Sequence, residues 1–589
     1  MIKQSLKPIS CRSTNLSPRQ AGRVTAVNVH RPGWCAFLTL LLILASLSAA
    51  PVSARVIWVG PNSDGNCETN SLSAAVLTAA FAAGDDAIHL ANGVAHTDIN
   101  LALNGFDPGT STGGLSIRGG FASCGDGTPT AGRTTIDGGA SNPIFEISGS
   151  SGGSSVIELV DLELSGSGVR ALEVGNGGEL DLNNVWVRNN GGAVRVQGNG
   201  RFSMESESWL FDNTVSGGFG GGLYCTDDAV VNVGGPISNN FAGQWGGGIY
   251  ARGSCQVILR NKAWIQSNTA TFNGGGIAAF SSALVTLSAS ETTQILVKNN
   301  SAERGGGIYA EGAETNVLLA NAKIENNQAE RGAAVYATQN SYVQIYRIPV
   351  DSCADPLRCS TLSFNQLGDD FFGAVAWVDQ GARISISETY MEGNSSSAGR
   401  EDQISLLAVS DESSSLSLSN VMVWDNEARY IAERIGTSQI RFEHVTTADN
   451  FYPTTSGTAP ISLFLGTDSV SATVINSLLW DVGSSGNFGG SCNFAASSAA
   501  LSDSTASAAI ADPRFIAAAG GDLRLEPDSP AVDACFSGSA GRDIELQDRP
   551  ADVEGNANGN PGQAGGLFDA GSGEVVLTLF ADRFEEGGF

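Results

Sequence analysis

Charge is scarce in this chain of 589 residues, and positive charge is scarcest: charged side chains make up 16%, with 32 Lys plus Arg against 60 Asp plus Glu. The formal charge of -28 repels phosphate, so it argues against nucleic acid as a partner and disfavours anionic membrane surfaces. Histidine is almost missing, with only His89, His96 and His444 beyond residue 54, and no two cysteines have CxxC spacing. A Cys/His zinc site is therefore not expected. The apolar stretch Ala36 to Ala50 is too short for a comfortable membrane span. Outside Ser71 to Ala83 there is almost no sustained i, i+3, i+4 pattern, which argues against a helical architecture.

What is present in quantity is glycine, 74 residues of it, a composition that suits an elongated solenoid whose coils bury one another. Ala36 to Ala50 has the length of a signal-peptide core, with a cleavage point after Val52-Ser53-Ala54. The preceding segment carries Lys3, Lys7, Arg12, Arg19, Arg23 and Arg31 and no acid, as an export n-region should, but it is long enough to suggest a misassigned start codon. Cys35 precedes the apolar core, so it does not sit where a lipoprotein cysteine would. An exported product without a transmembrane span in the mature chain is expected. Eight cysteines remain, at Cys67, Cys124, Cys225, Cys255, Cys353, Cys359, Cys492 and Cys535, and pairing of neighbours is the simplest disulfide scheme.

The dominant signal is a repeat: Gly220-Gly221-Gly222-Leu223-Tyr224, Gly246-Gly247-Gly248-Ile249-Tyr250, Gly274-Gly275-Gly276-Ile277-Ala278, Gly305-Gly306-Gly307-Ile308-Tyr309 and Gly332-Ala333-Ala334-Val335-Tyr336. The aliphatic anchors are 26, 28, 31 and 27 residues apart, and eight to ten residues before each stands Asn213, Asn240, Asn268, Asn300 or Asn327. That period is the coil length of a β-solenoid. Stacked coils place equivalent residues about 4.8 Å apart. Asn then stacks at corners, Gly serves bends where backbones crowd, and Ile and Leu fill the interior. Asn-ended strands continue to Asn394, Asn426, Asn450 and Asn476, so roughly fourteen coils between residues 115 and 485 would make a rod of about 65 Å. Ser71 to Ala83, entered through Asn70 or Ser71 and ended by Gly84, is the one amphipathic helix and covers the first coil.

These motifs resemble the right-handed parallel β-helix proteins of the pectin-lyase-like superfamily, in particular bacterial surface proteins with chlamydial polymorphic outer-membrane-protein repeats. The start at Ser71-Leu72-Ser73-Ala74-Ala75-Val76 and the close at Asp512-Pro513-Arg514-Phe515 and Asp528-Ser529-Pro530-Ala531 are similar to that group as well. The resemblance implies an all-β, single-stranded right-handed parallel β-helix solenoid with a short amino-terminal capping helix, located outside the cell or on the outer-membrane surface of a Gram-negative bacterium. The expected divisions are a signal peptide (1–54), an amino-terminal cap with the first strands (55–114), the β-helix (115–490), a carboxy-terminal cap segment (491–574) and a tail (575–589). The tail, Leu579 to Glu585 above all, looks like a short sorting signal, with an extra edge strand as the alternative. No fused membrane barrel follows the rod in this sequence, so self-export through one is not expected.

Candidate chemistry is sparse. Asp425 and Asp449 occupy the same place in neighbouring Asp-Asn corners and could stack as a carboxylate dyad, but Asp212 recurs in the same context, which favours a structural corner. Glu303-Arg304 and Glu330-Arg331 should form a two-rung charge ladder before their glycine anchors. If Ile and Leu point inward, Tyr224, Tyr250, Tyr309 and Tyr336 point outward as a column, broken by Ala278, that could contact sugar faces. Cys225 and Cys255 fall four positions apart around one turn, within reach of a bridge. Asp552, Glu554 and Asn556, continued by Asn558 and Asn560, alternate oxygen side chains that could hold calcium, although Gln563 replaces the closing Glu. No cofactor is expected apart from that ion. The leading reading is a non-catalytic scaffold, adhesin or glycan-contacting protein whose partner is an extracellular glycan or surface protein. The alternative is a polysaccharide lyase or glycoside hydrolase acting on acidic polysaccharides.

Overall fold

The computed structural model describes residues 55–531, apart from 82–83, 107–112, 150–154, 261, 288–294, 349–357, 369–373, 397–404, 437, 455–456, 466–471, 485–487, 496–507 and 527. Short strands joined by turns wind into a parallel β-solenoid of about 13 turns, of the right-handed type, one turn fewer than the repeat count suggested. One coil shows the plan. Leu223–Thr226 belongs to a first face of 15 strands, and Val230–Val233 and Ile237–Ser238 belong to a second and a third face, joined through corners in one sheet of 27 strands. Phe241–Ala242 belongs to a short side sheet of seven strands. The next coil pairs in register, Leu223 with Ile249, Val231 with Val257 and Ile237 with Ile265.

Alternation along each strand decides what is inside. Leu223, Ile249, Ile277, Ile308 and Val335 are fully buried in one core that runs the length of the solenoid, each such side chain contributing about 1.5–3 kcal/mol. At the amino-terminal end Leu72–Ala80 is a helix capped by Ser71, whose hydroxyl accepts from the Ala74 N–H at 3.3 Å. It buries Leu72, Ala75, Val76 and Ala79 against the first strands and stops short of the expected end, with Phe81 exposed.

The Asn-Asn motif divides its labour between two residues. The second Asn forms the ladder: Asn190, Asn213, Asn240, Asn268, Asn300, Asn327, Asn365, Asn394, Asn426 and Asn450 stack without interruption. From Asn213 on, each Oδ1 accepts from the backbone N–H and the Nδ2 of the Asn one coil earlier, at 2.8–3.1 Å, while the Oδ1 of Asn190 takes the Ser167 N–H. Asp481 closes it, taking the Asn450 N–H at 2.6 Å and Nδ2 at 2.7 Å. The residue before each ladder Asn carries the left-handed backbone: φ is 56° at Asn189, 55° at Asp212, 53° at Asn239, 55° at Ser267 and 54° at Phe364. Asn476 is not a rung. It lies at the opposite corner, left-handed like Asn420 and His444, with its Nδ2 3.3 Å from His444 Nε2.

The glycine triplets also combine two demands. Gly220, Gly246, Gly274, Gly305 and Gly332 have φ between 62° and 69°. A Cβ on Gly221 or Gly222 would come within 2.6–2.8 Å of the next coil's carbonyl oxygens.

Candidate functional site

The Tyr column leaves the tube interior, as alternation requires, yet it is not an open platform. Tyr250, Tyr309 and Tyr336 are 1%, 3% and 3% exposed, and only Tyr224 is half-buried. Tyr224 stacks on Tyr250 at 5.2 Å and Tyr309 on Tyr336 at 5.3 Å. The break at Ala278 is filled by Phe280, two residues further along the strand, which reaches Tyr250 and Tyr309 at 5.4 Å each. Phe219 and Trp245 lie over the column from the position before the glycine triplets, and Trp377 extends it past Tyr336. The phenols find partners inside the stack, Tyr309 donating to Glu311 and Tyr336 to Asp379, both at 2.7 Å. Burial, and then those carboxylates, hold both hydroxyls well above the usual tyrosine range.

Sequence reading missed the cation that starts this column. Arg170 donates to the carbonyls of Phe219 and Gly220, and its guanidinium lies 5.1 Å from the Tyr224 ring centroid, with Arg195 at 5.2 Å. Burial and then the neighbouring Arg195 bring its pKa down to about 10. No repeat marks Arg170, because it lies outside the glycine motif and two coils before the carbonyls it clamps.

Glu303-Arg304 and Glu330-Arg331 stand on successive coils, and Glu303 lies 3.6 Å from Arg304. Arg304 pairs in register with Arg331, and the Arg331 guanidinium stacks over Trp377 at 5.3 Å. Glu303 and Glu330 also line an open groove of about 420 Å³ over the short side sheet. Its floor is made of Ala270, Ala302 and Ala329, with Gln328 beside the two carboxylates. Chemically the groove can accept hydrogen bonds from hydroxyl or ammonium groups.

Asp425 and Asp449 stand in the left-handed corner row, at φ 53° and 54°. Burial and then the charge of Asp449 raise the pKa of Asp425, while Asp449 accepts from Trp424 Nε1 at 3.4 Å. Asp212, in the same row, accepts from Asn239 Nδ2 on the next coil. Asp552, Glu554, Asn556, Asn558 and Asn560 lie outside the described residues. Asp64, Cys67 and Cys124 approach one another closely enough to suggest a metal, but both sulfurs form the Cys67–Cys124 disulfide. Asp64 spends its oxygens on the N–H groups of Asn66 and Cys124.

Cys225 pairs with Cys255 as the offset implied, Cα to Cα 6.0 Å, with Cys225 level with Ala251 on the next coil. Cys67 pairs with Cys124 at 5.2 Å. Cys359 and Cys492 are also in disulfides, and Cys353 and Cys535 lie outside the described residues. Among the described residues no helix is long and apolar enough to cross a membrane. No protein-family model matches this chain, and no curated protein matches it in sequence.

Proposed function

We propose that this chain is a non-catalytic, exported β-helix protein of the cell envelope or extracellular space of a Gram-negative bacterium, acting as a surface scaffold, adhesin or glycan-contacting protein. The observation that carries the reading is the unbroken ladder of ten Asn, because it commits the most regular side chains of the repeat to holding coils together. What is left for a partner is the outward side chains of long, flat faces. Disulfides at Cys67–Cys124 and Cys225–Cys255 suit an oxidising location. The resemblance of the repeat to polymorphic outer-membrane-protein repeats points the same way.

The stacked pair Asp425 and Asp449, with Asp425 raised, supports a second reading as a polysaccharide lyase or hydrolase. Affinity electrophoresis of residues 55–589 through gels containing neutral and acidic polysaccharides separates the outcomes. Retardation by at least one polymer, unchanged in Asp425→Asn and Asp449→Asn, is expected. Migration unaffected by every polymer would remove glycan contact from the reading.

A further inference from the structure

Beyond residue 54 the sequence contains only three lysines, Lys262, Lys298 and Lys323. The fold places them on three successive coils. Gln266 pairs with Lys298 and Lys298 with Glu325, while Trp264 pairs with Leu296 and Leu296 with Lys323, so Lys298 and Lys323 stand on successive coils of the third face. Lys262 lies two residues before Trp264, at the edge of the coil before them. Lys262 and Lys323 are only 3.9 and 4.0 Å from Glu207 and Glu325, at the limit of an ion pair, and Lys298 has no carboxylate partner among the described residues.

The same face carries an aromatic stripe that no repeat announces. Trp186 pairs in register with Trp209, and Leu210 with Ile237 and Ile237 with Ile265 continue the row through Pro236 to Trp264. Trp186, Trp209, Phe211 and Trp264 are half-buried. The Arg133 guanidinium lies 4.0 Å over Trp186. From the Trp186 row to the Lys323 row the stripe crosses six coils, about 24 Å at ~4.8 Å per coil.

Further along, this outer face is already an interface. Tyr390, Met422 and Trp424 stand on its later coils, and the chain's own carboxy-terminal hairpin, Phe515–Ala517 with Asp522–Leu525, lies on them. Leu523 is buried there, and Tyr390 donates to the Gly521 carbonyl. The earlier coils present comparable rings with cations added, half-buried, and among the described residues no hairpin lies on them.

We infer that the open part of the third face, from Trp186 to Lys323, binds a linear anionic polysaccharide laid along the rod and held without cleavage. The inference rests on the glycan-contacting reading and names its ligand class and face. Charge complementarity selects an anion, since this stripe gathers the three lysines found beyond residue 54 of a strongly acidic chain. The geometry selects a line. The lysines stand on successive coils, Lys323 in the row of Trp264 and Lys298 two positions along the strand from it, and indole rings in that row offer apolar surface to sugar rings. A flat anionic bilayer would also meet the acidic flanks and be repelled.

The test uses residues 55–589 with alginate as the anionic polymer, dextran as the neutral one, poly-glutamate as an acidic peptide and phosphatidylglycerol vesicles. Alginate should bind at low salt and be released by added salt. The triple variant Lys262→Gln, Lys298→Gln, Lys323→Gln should weaken it by about tenfold or more, and Trp264→Ala should weaken it with the lysines intact. Arg383→Gln, an exposed cation of the second face, should change nothing. Circular dichroism confirms that each variant keeps the β fold. Alginate binding no tighter than dextran, or unaltered in the triple variant, overturns the inference while leaving glycan contact standing. Tighter binding of poly-glutamate or vesicles than of alginate overturns it too. Failure of every polysaccharide to bind defeats both.

Discussion

At the scale of single residues, the same amino acid does different work on the two sides of one peptide bond. Asn299 supplies a left-handed backbone, whereas Asn300 supplies a rung whose Nδ2 donates to Asn327 and whose Oδ1 satisfies the N–H of Asn268. Asn300→Ala should therefore cost about 2–3 kcal/mol, because it leaves buried donors without acceptors, and urea unfolding measures it. Phe364 is the reverse case. It holds φ 54° while 53% exposed, its ring set over Gly393, in a row otherwise filled by Asn, Asp, Ser and Gly. Phe364→Asn should raise stability by about 1 kcal/mol, read as a higher melting temperature.

Asp181 adds a pH dependence. Burial first, then Glu179, Glu158 and Glu205, raise its pKa to about 6. The folded state thus binds a proton more tightly than the unfolded chain, so this contribution to stability is present below pH 4 and is lost as pH rises through 6. Solvent reaches the half-buried group, which reduces the effect. Asp181→Asn should raise stability at pH 7.5 by about 1 kcal/mol and leave pH 4 unchanged, as paired thermal melts would show.

At the scale of elements, the repeat's period and its aliphatic anchors were legible because each coil must solve the same packing problem with the same residue types. The Cys225–Cys255 bridge was legible for the same reason, as register follows from repeat alignment. Removing it with Cys225→Ala and Cys255→Ala should cost about 3 kcal/mol in denaturant unfolding. Outward positions obey no such rule. The Tyr column was visible in sequence, but its burial was not, because Phe219, Trp245 and Phe280 reach it from different places in their coils. The row from Trp186 to Trp264 escaped notice because coil lengths vary, so the register that aligns its members exists only once the strands are paired. The return of Phe515 and Leu523 onto the third face was equally hidden, since nothing local marks which flank a closing segment will cover.

At the scale of the whole molecule, the repeat is spent on architecture. Its Asn join coils, its Gly permit close approach, its Ile and Leu fill the core, and three of its four Tyr are sealed in a stack of their own. On the proposed reading, recognition belongs to faces whose composition is not repetitive. Such a rod should hold polysaccharide without shortening it. The most direct test is end-group analysis of polysaccharides, acidic ones included, after prolonged incubation with residues 55–589. Unchanged chain length at every pH from 4 to 9 is the result this account predicts. New reducing or unsaturated ends that vanish in Asp425→Asn or Asp449→Asn would contradict it and make the corner acids catalytic.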